Sequence, residues 1–247
     1  RFGKSLLIST LEEIFFGNKE LFKGLWIEQS SYTWPKHPVI RIDFSKLSSS
    51  DPKLLEKDLQ GRIQAIARNY HVSLKPDDTI AANTGNLIEE LYRMAGEGVV
   101  ILIDEYDSPI ISNINDFDVA TANRDLLASF YRTIKGCNEY LRFVFLTGVS
   151  KFAKVSVFSG LNNLFDITLD SEFASLLGYT QEELEFYFSD RLDKLQAVCE
   201  VSRETLLEDI RQWYNGYRFS KKDVRVYTPY SILNLFKTRE FNNYWFE

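Results

Sequence analysis

The stretch from Val99 to Ile103, VVILI, constrains this chain more than any other. It is unbroken, mostly β-branched, entered through Gly96 and Gly98, and followed at once by Asp104 and Glu105. A strand apolar on both faces belongs in the middle of a sheet covered by helices on each side. The run stops at two adjacent carboxylates at the carboxyl end of the strand, which is where open α/β sheets place their chemistry. Carboxylates left unpaired beside a core are expensive, so something positive is expected opposite them. Asp107, Ser108 and Pro109 are turn formers, and a strand that merely surfaces into an acidic loop would show the same residues. The context elsewhere in the chain favours a functional reading.

That context lies at the start. Arg1-Phe2-Gly3-Lys4-Ser5 runs into LLISTLEEIFF, where Leu6, Leu7, Leu11, Ile14 and Phe15 recur at helical spacing. Gly-Lys-Ser opening a helix is the second half of a phosphate-binding loop. Gly3 lets backbone amides approach the phosphates, and the helix start adds unpaired N–H groups and a positive dipole end. Lys4 would reach the β- and γ-phosphates, and the Ser5 hydroxyl would ligate Mg²⁺. The first glycine of G-x-x-x-x-G-K-[ST] would precede Arg1. Paired with a buried strand ending in Asp-Glu, the two signals describe a P-loop NTPase.

The strings RFGKSLLISTL, ILIDEYDSPI, FLTGVSKFAKVSVFSGLNNLFDIT, WYNGYRF, VYTPYSILNLF and NNYWFE, in this order, resemble the bacterial AAA-ATPase-like family from the first residue to the last. The resemblance implies ATP and Mg²⁺ as ligands and a P-loop ATPase domain, usually followed by a PD-(D/E)XK nuclease-like domain. It also implies that this chain is a fragment, lacking the strand that feeds the phosphate loop and the nuclease-like domain. In such proteins the feeding strand lies between the strand that here is 99–103 and either 143–147 or the last strand of the sheet. The expectation is therefore that 99–103 and 143–147 run parallel in one sheet, with a central vacancy or an edge where that strand belongs. Arg1 should lie near it, and Lys4 near Asp104.

Alternating strands and amphipathic helices predict a three-layer α/β sheet over 1–178, which the resemblance makes one of the AAA-like P-loop type, with a helical lid or winged-helix-like subdomain over 179–247. The strands are read at 39–44, 99–103, 142–147 and 165–169. A short helix is read at 20–29, one opening at Asp51-Pro52 with an acidic N-cap, one around Leu87 to Met94, and one at 119–136. Beyond Thr180, a capping box over Thr180–Glu183 starts successive helices at 181–198 and 203–213, and Pro229 starts another after a possible strand at 224–227. The length, 247 residues, suits one sizeable α/β domain with an appendage. A net charge of −6 argues against a mainly electrostatic nucleic-acid binder, leaving at most an indirect role there. With only Cys137, Cys199, His37 and His71, no zinc site can be assembled, and the few cysteines fit a reducing cytoplasm. No membrane-spanning run is visible.

The functional expectation is Mg-ATP binding with hydrolysis driving a conformational switch. Arg1, Phe2, Gly3, Lys4 and Ser5 bind the nucleotide, Ser5 and Asp104 take the metal, and Glu105 polarises the attacking water. Thr147, at the end of the neighbouring strand, is the candidate for sensing the γ-phosphate, with Ser150 behind it; a Thr satisfied within the strand–turn junction is the plain alternative. Asp107 is given a turn and no chemistry. No arginine finger is identifiable, so one would come from a second copy or a protein partner. The competing functions are a non-hydrolysing, nucleotide-responsive interaction module and, further off, a metal-dependent nuclease built on Asp104, Glu105 and Asp107.

Overall fold

The computed structural model describes residues 2–149 and 164–244. They form two units: Ser5–Leu164, and Phe165–Glu247 together with Arg1–Lys4. In chain order the first unit holds α1 (Lys4–Phe15, whose first residue groups with the other unit), α2 (Trp26–Gln29), β1 (Val39–Asp43), α3 (Pro52–Asn69), α4 (Ile80–Ala95), β2 (Val99–Asp104), α5 (Ser108–Ile111), α6 (Phe117–Gly136) and β3 (Leu141–Leu146). The helix expected over 20–29 is instead a short 3₁₀ turn, Lys19–Phe22, followed by α2.

The three strands are parallel in the order β1-β2-β3, so β2, the doubly apolar run, is central and buried at every residue. Strand alternation sorts the side chains onto two faces. On one face Ile40, Ile42, Ile101 and Ile103 pack against Leu59 and Ile63 of α3, Leu87 and Leu91 of α4, and Leu127 and Phe130 of α6. On the other, Val39, Val100 and Leu102 pack against Ile8 and Phe15 of α1, with Phe143 and Phe145 of β3 beside them. That is the expected three-layer α/β arrangement. The helix starts follow local chemistry: Asp51 accepts a hydrogen bond from Lys53 N at 2.8 Å with Pro52 first in α3, and Thr79 caps α4 through Ala82 N.

Of the apolar residues at helical spacing in α1, Leu6 is 70% exposed, and the core-facing residue of the first turns is Ile8, whose full burial is worth roughly 1.5–3 kcal/mol. Two expectations are corrected. Of the two places expected for a further strand, the central one is closed, since Val100 pairs with Phe143 and Ile103 with Leu146 directly, while the described sheet keeps open edges at β1 and β3. Residues 165–169 are loop and turn rather than a strand, because Asp166 and Asp170 accept hydrogen bonds from Thr168 N and Glu172 N, both at 2.9 Å, in local turns that compete with ladder formation.

The C-terminal unit is helical: α7 (Gln181–Tyr187), α8 (Ser189–Cys199), α9 (Arg203–Tyr214) and α10 (Pro229–Thr238). The helix expected over 181–198 is thus two, divided at Phe188. The capping box is present, with Glu183 N donating to Thr180 Oγ1 at 3.2 Å and Thr180 N to Glu183 Oε2 at 2.9 Å. Leu184, Leu192, Leu195, Leu206, Ile210, Ile232 and Leu235 form its core. In place of a strand at 224–227 there are single antiparallel bridges, Tyr179 to Tyr227 and Tyr217 to Val226. Among the described residues no helix is long and apolar enough to cross a membrane.

Candidate nucleotide site

The direction of α1 decides what its first turn meets. Near its end, Phe15 O accepts from His37 N, just before β1, at 2.8 Å. One turn earlier, Glu12 pairs with Arg41, in the middle of β1, at 2.6 Å. The helix therefore runs antiparallel to the strands. The seven residues from Glu12 back to Ser5 span about 10 Å, which carries the start of α1 to the level of the strands' carboxyl ends. Ser5 is exposed there.

At those ends the face covered by α1 carries a polar row. Alternation places Asp43, Asp104 and Thr147 on the same face as Val39, Val100 and Phe145. Asp43 and Asp104 are register partners. Burial works to raise the Asp43 pKa, but hydrogen bonds from Ser45 and Lys46 outweigh it and hold the carboxyl below its usual range; Lys46 Nζ lies 3.0 Å away. Asp104, only 2% exposed, accepts a hydrogen bond from the Thr147 hydroxyl on one carboxylate oxygen. Its other oxygen makes no hydrogen bond among the described residues, which suits a divalent cation that takes one or two carboxylates and fills its shell with phosphate and water.

Glu105 follows with φ at +51°, in the left-handed region that a side chain with a Cβ rarely adopts. Its N–H points to Thr147 Oγ1 at 3.4 Å, and its half-buried carboxylate has no partner among the described residues. The backbone on both sides is stitched to β3: Thr147 N donates to Ile103 O at 2.8 Å, and Tyr106 N to Thr147 O at 2.9 Å. The strain at Glu105 is thus held by neighbours, the pattern found where a side chain is aimed for chemistry.

Asp107 is more than a turn residue. It is fully buried, and both carboxylate oxygens accept from Val149 N, at 3.0 and 3.2 Å. Burial pushes the enclosed Tyr131 hydroxyl well above the usual tyrosine range, and the neighbouring Tyr106 and Asp107 add to the effect. Gly148 makes this approach possible, since a Cβ there would stand 2.3 Å from the Tyr106 ring and 2.8 Å from Asp107 Oδ1. Asp43 and Gly148 are not singled out by their residue types, and Asp107 reads from the sequence as a turn former or, in the nuclease alternative, a third acid. An acid two residues past a functional pair, facing a Gly beyond the next strand, is the only signal that could have drawn attention to the last two.

Asp104, Glu105 and Thr147 are therefore brought together. Gly3, with φ at +99°, and Lys4 group with the C-terminal unit, where Phe2 packs edge-on against Tyr217 and Phe219 with ring centroids 4.7 and 5.0 Å away. Arg1 and Ser150 lie outside the described residues.

Comparison with known proteins gives the chain a family. The sequence model of the AAA-ATPase_like family, described as "Predicted AAA-ATPase", matches residues 1–158. A curated protein of Azotobacter chroococcum mcd 1, an uncharacterized protein in the vnfD 5′ region, is 41% identical over the whole chain. The chain spans 45% of that relative's length. No solved structure matches. A parallel sheet with its acids at the carboxyl ends, a helix opening on Gly-Lys-Ser over the same face, and a family match over most of the chain lead to one assignment: the chain belongs to the AAA-ATPase-like family.

Proposed function

We propose that this chain is a Mg-ATP-binding module that hydrolyses ATP and uses the cycle as a conformational switch. The observation carrying this reading is the antiparallel course of α1 over the face that bears Asp104, which directs Ser5 and the helix's unpaired N–H groups toward the acidic strand ends. Gly3 and Lys4 take the phosphates. The Ser5 hydroxyl and the open oxygen of Asp104 are the groups that would hold Mg²⁺, an ion that neutralises developing phosphate charge. Glu105, with its carboxylate unengaged, accepts the proton of the attacking water. Thr147 fixes the rotamer of Asp104 and meets the Glu105 N–H, so it is a positioning residue.

A free general base favours turnover over a non-hydrolysing module. A nuclease is disfavoured because Asp107, the third acid such a site would require, is spent on Val149. A nuclease-like domain in the full-length protein, a partner supplying an arginine and a cytoplasmic location remain part of the proposal. The test is calorimetric titration of Mg-ATP into the parent and Lys4→Ala, with phosphate release measured alongside. Binding that is lost or weakened at least tenfold in Lys4→Ala supports the reading; equal affinity in both overturns it.

A further inference from the structure

A cavity of about 370 Å³ lies within the C-terminal unit, between the end of α9 and the start of α10. Its walls come from three of the strings unused so far: Trp213, Tyr214 and Tyr217, then Thr228 and Ser231, then Asn243 and Tyr244. The volume falls at the lower end of ligand pockets, roughly 300–1,000 Å³.

The lining is aromatic and polar but carries no charged side chain. Two of its hydroxyls are committed to the walls. Tyr214 Oη donates to Asn242 O and accepts from Asn242 N, both at 3.0 Å, and Tyr244 Oη donates to Glu240 O at 2.7 Å. Other groups are left over. Thr228 is 1% exposed, and its hydroxyl has no partner among the described residues. It stands at the N-terminal end of α10, where it makes no cap bond, and Pro229 supplies no N–H to an anion. The Ser231 hydroxyl and the exposed Asn243 amide likewise have no partner among the described residues. Trp213, in the last turn of α9, keeps 53% of its surface open. A half-open indole beside unengaged hydroxyl and amide groups suits a flat, uncharged ligand with donors and acceptors on its edge, which is the chemistry of a nucleobase.

A second observation links this cavity to the Gly3-Lys4 segment. Phe2, the residue before Gly3 and Lys4, lies against Tyr217, which lines the cavity. Residues 2–4 and the cavity belong to the same unit. We propose that the cavity holds the base of the nucleotide whose phosphates Gly3 and Lys4 bind, with Trp213 as the stacking surface and Thr228, Ser231 and Asn243 reading the edge of the base. This rests on the nucleotide-binding reading above and adds the subsite that tells a nucleotide from bare polyphosphate.

The experiment titrates Mg-ATP and, separately, magnesium tripolyphosphate into the parent, Trp213→Ala, Trp213→Phe, Asn243→Ala and Lys4→Ala, with circular dichroism confirming the fold of each. Trp213→Ala should weaken ATP roughly ten- to hundredfold, leave tripolyphosphate unchanged, and be largely rescued in Trp213→Phe. Asn243→Ala, a surface change, should weaken ATP alone and by less. If Trp213→Ala and Asn243→Ala bind ATP like the parent while Lys4→Ala loses both ligands, the base sits elsewhere and only this proposal falls. If Trp213→Ala loses tripolyphosphate as much as ATP, Trp213 is structural and the proposal also falls. If Lys4→Ala loses neither ligand, or the parent binds neither, the phosphate reading fails and the base subsite fails with it.

Discussion

The Thr147 hydroxyl donates its hydrogen bond to the carboxylate of Asp104, across the seam between β3 and β2. A buried carboxylate is tolerable only while it is hydrogen-bonded, so this contact is structural as well as functional. Thr147→Val keeps the shape and removes the donor. Stability should fall by about 1–3 kcal/mol, read as a shift in the urea midpoint, while Thr147→Ser should retain most of it.

Glu105 should separate hydrolysis from stability. Glu105→Gln keeps its size and removes the base, so phosphate release should drop by roughly 10²–10⁴-fold with ATP affinity unchanged. Glu105→Gly relieves a left-handed backbone that costs a residue with a Cβ roughly 1–2 kcal/mol. That variant should melt later than the parent and hydrolyse no faster than Glu105→Gln. A Glu105→Gly protein no more stable than the parent would mean that the strain is not there.

Gly148→Ala should be costly despite adding one methyl group. The new Cβ meets the Tyr106 ring and the Asp107 carboxylate, neither of which can retreat from a buried site. Overpacking of this kind costs typically about 1–3 kcal/mol, and chemical denaturation would show it.

Asp43 predicts a slope on the acid side. Its folded pKa is below the ordinary 3.8, so its stabilisation is fully present above that value and disappears as pH falls through the depressed one. Asp43→Asn should flatten the loss of stability below about pH 4 relative to the parent, with little change near neutrality. Unfolding curves collected down that pH range decide it.

Tyr214 gives the opposite sign at the alkaline end. Burial raises its pKa to about 12, so its contribution is intact below the ordinary value of 10.0 and is lost as pH rises toward 12. Tyr214→Phe removes both bonds to Asn242 and should cost about 1–3 kcal/mol at neutral pH, as well as weakening the parent's alkaline sensitivity.

The sheet was legible because its signals are local and strong. Five apolar residues followed by two acids allow few placements, and Asp51-Pro52 and Thr180–Glu183 cap helices by chemistry that adjacent residues settle. The pairing of Thr147 with Asp104 could be suspected from position, since both end neighbouring strands. Asp107 was read as a turn former because its residue type says so, and the amide it binds, Val149, lies far along the chain. The 165–169 segment misled for the reverse reason: its β-prone residues are separated by aspartates whose side chains capture nearby amides. Leu6 shares the helical spacing of α1 yet is exposed, because periodicity fixes a stripe without saying which edge of it faces the sheet.

The stitching between the end of β2 and the end of β3 has a mechanical consequence. Thr147 N on Ile103 O, Tyr106 N on Thr147 O and Val149 N on Asp107 extend the pairing past the last ladder residues on both strands. The acidic turn and residues 147–149 are thereby tied together. Their amides should open to solvent exchange together and late, in one cooperative event. A pull on the backbone at Val149 reaches Glu105 without slack, and a displacement of Glu105 is felt at Val149 in turn.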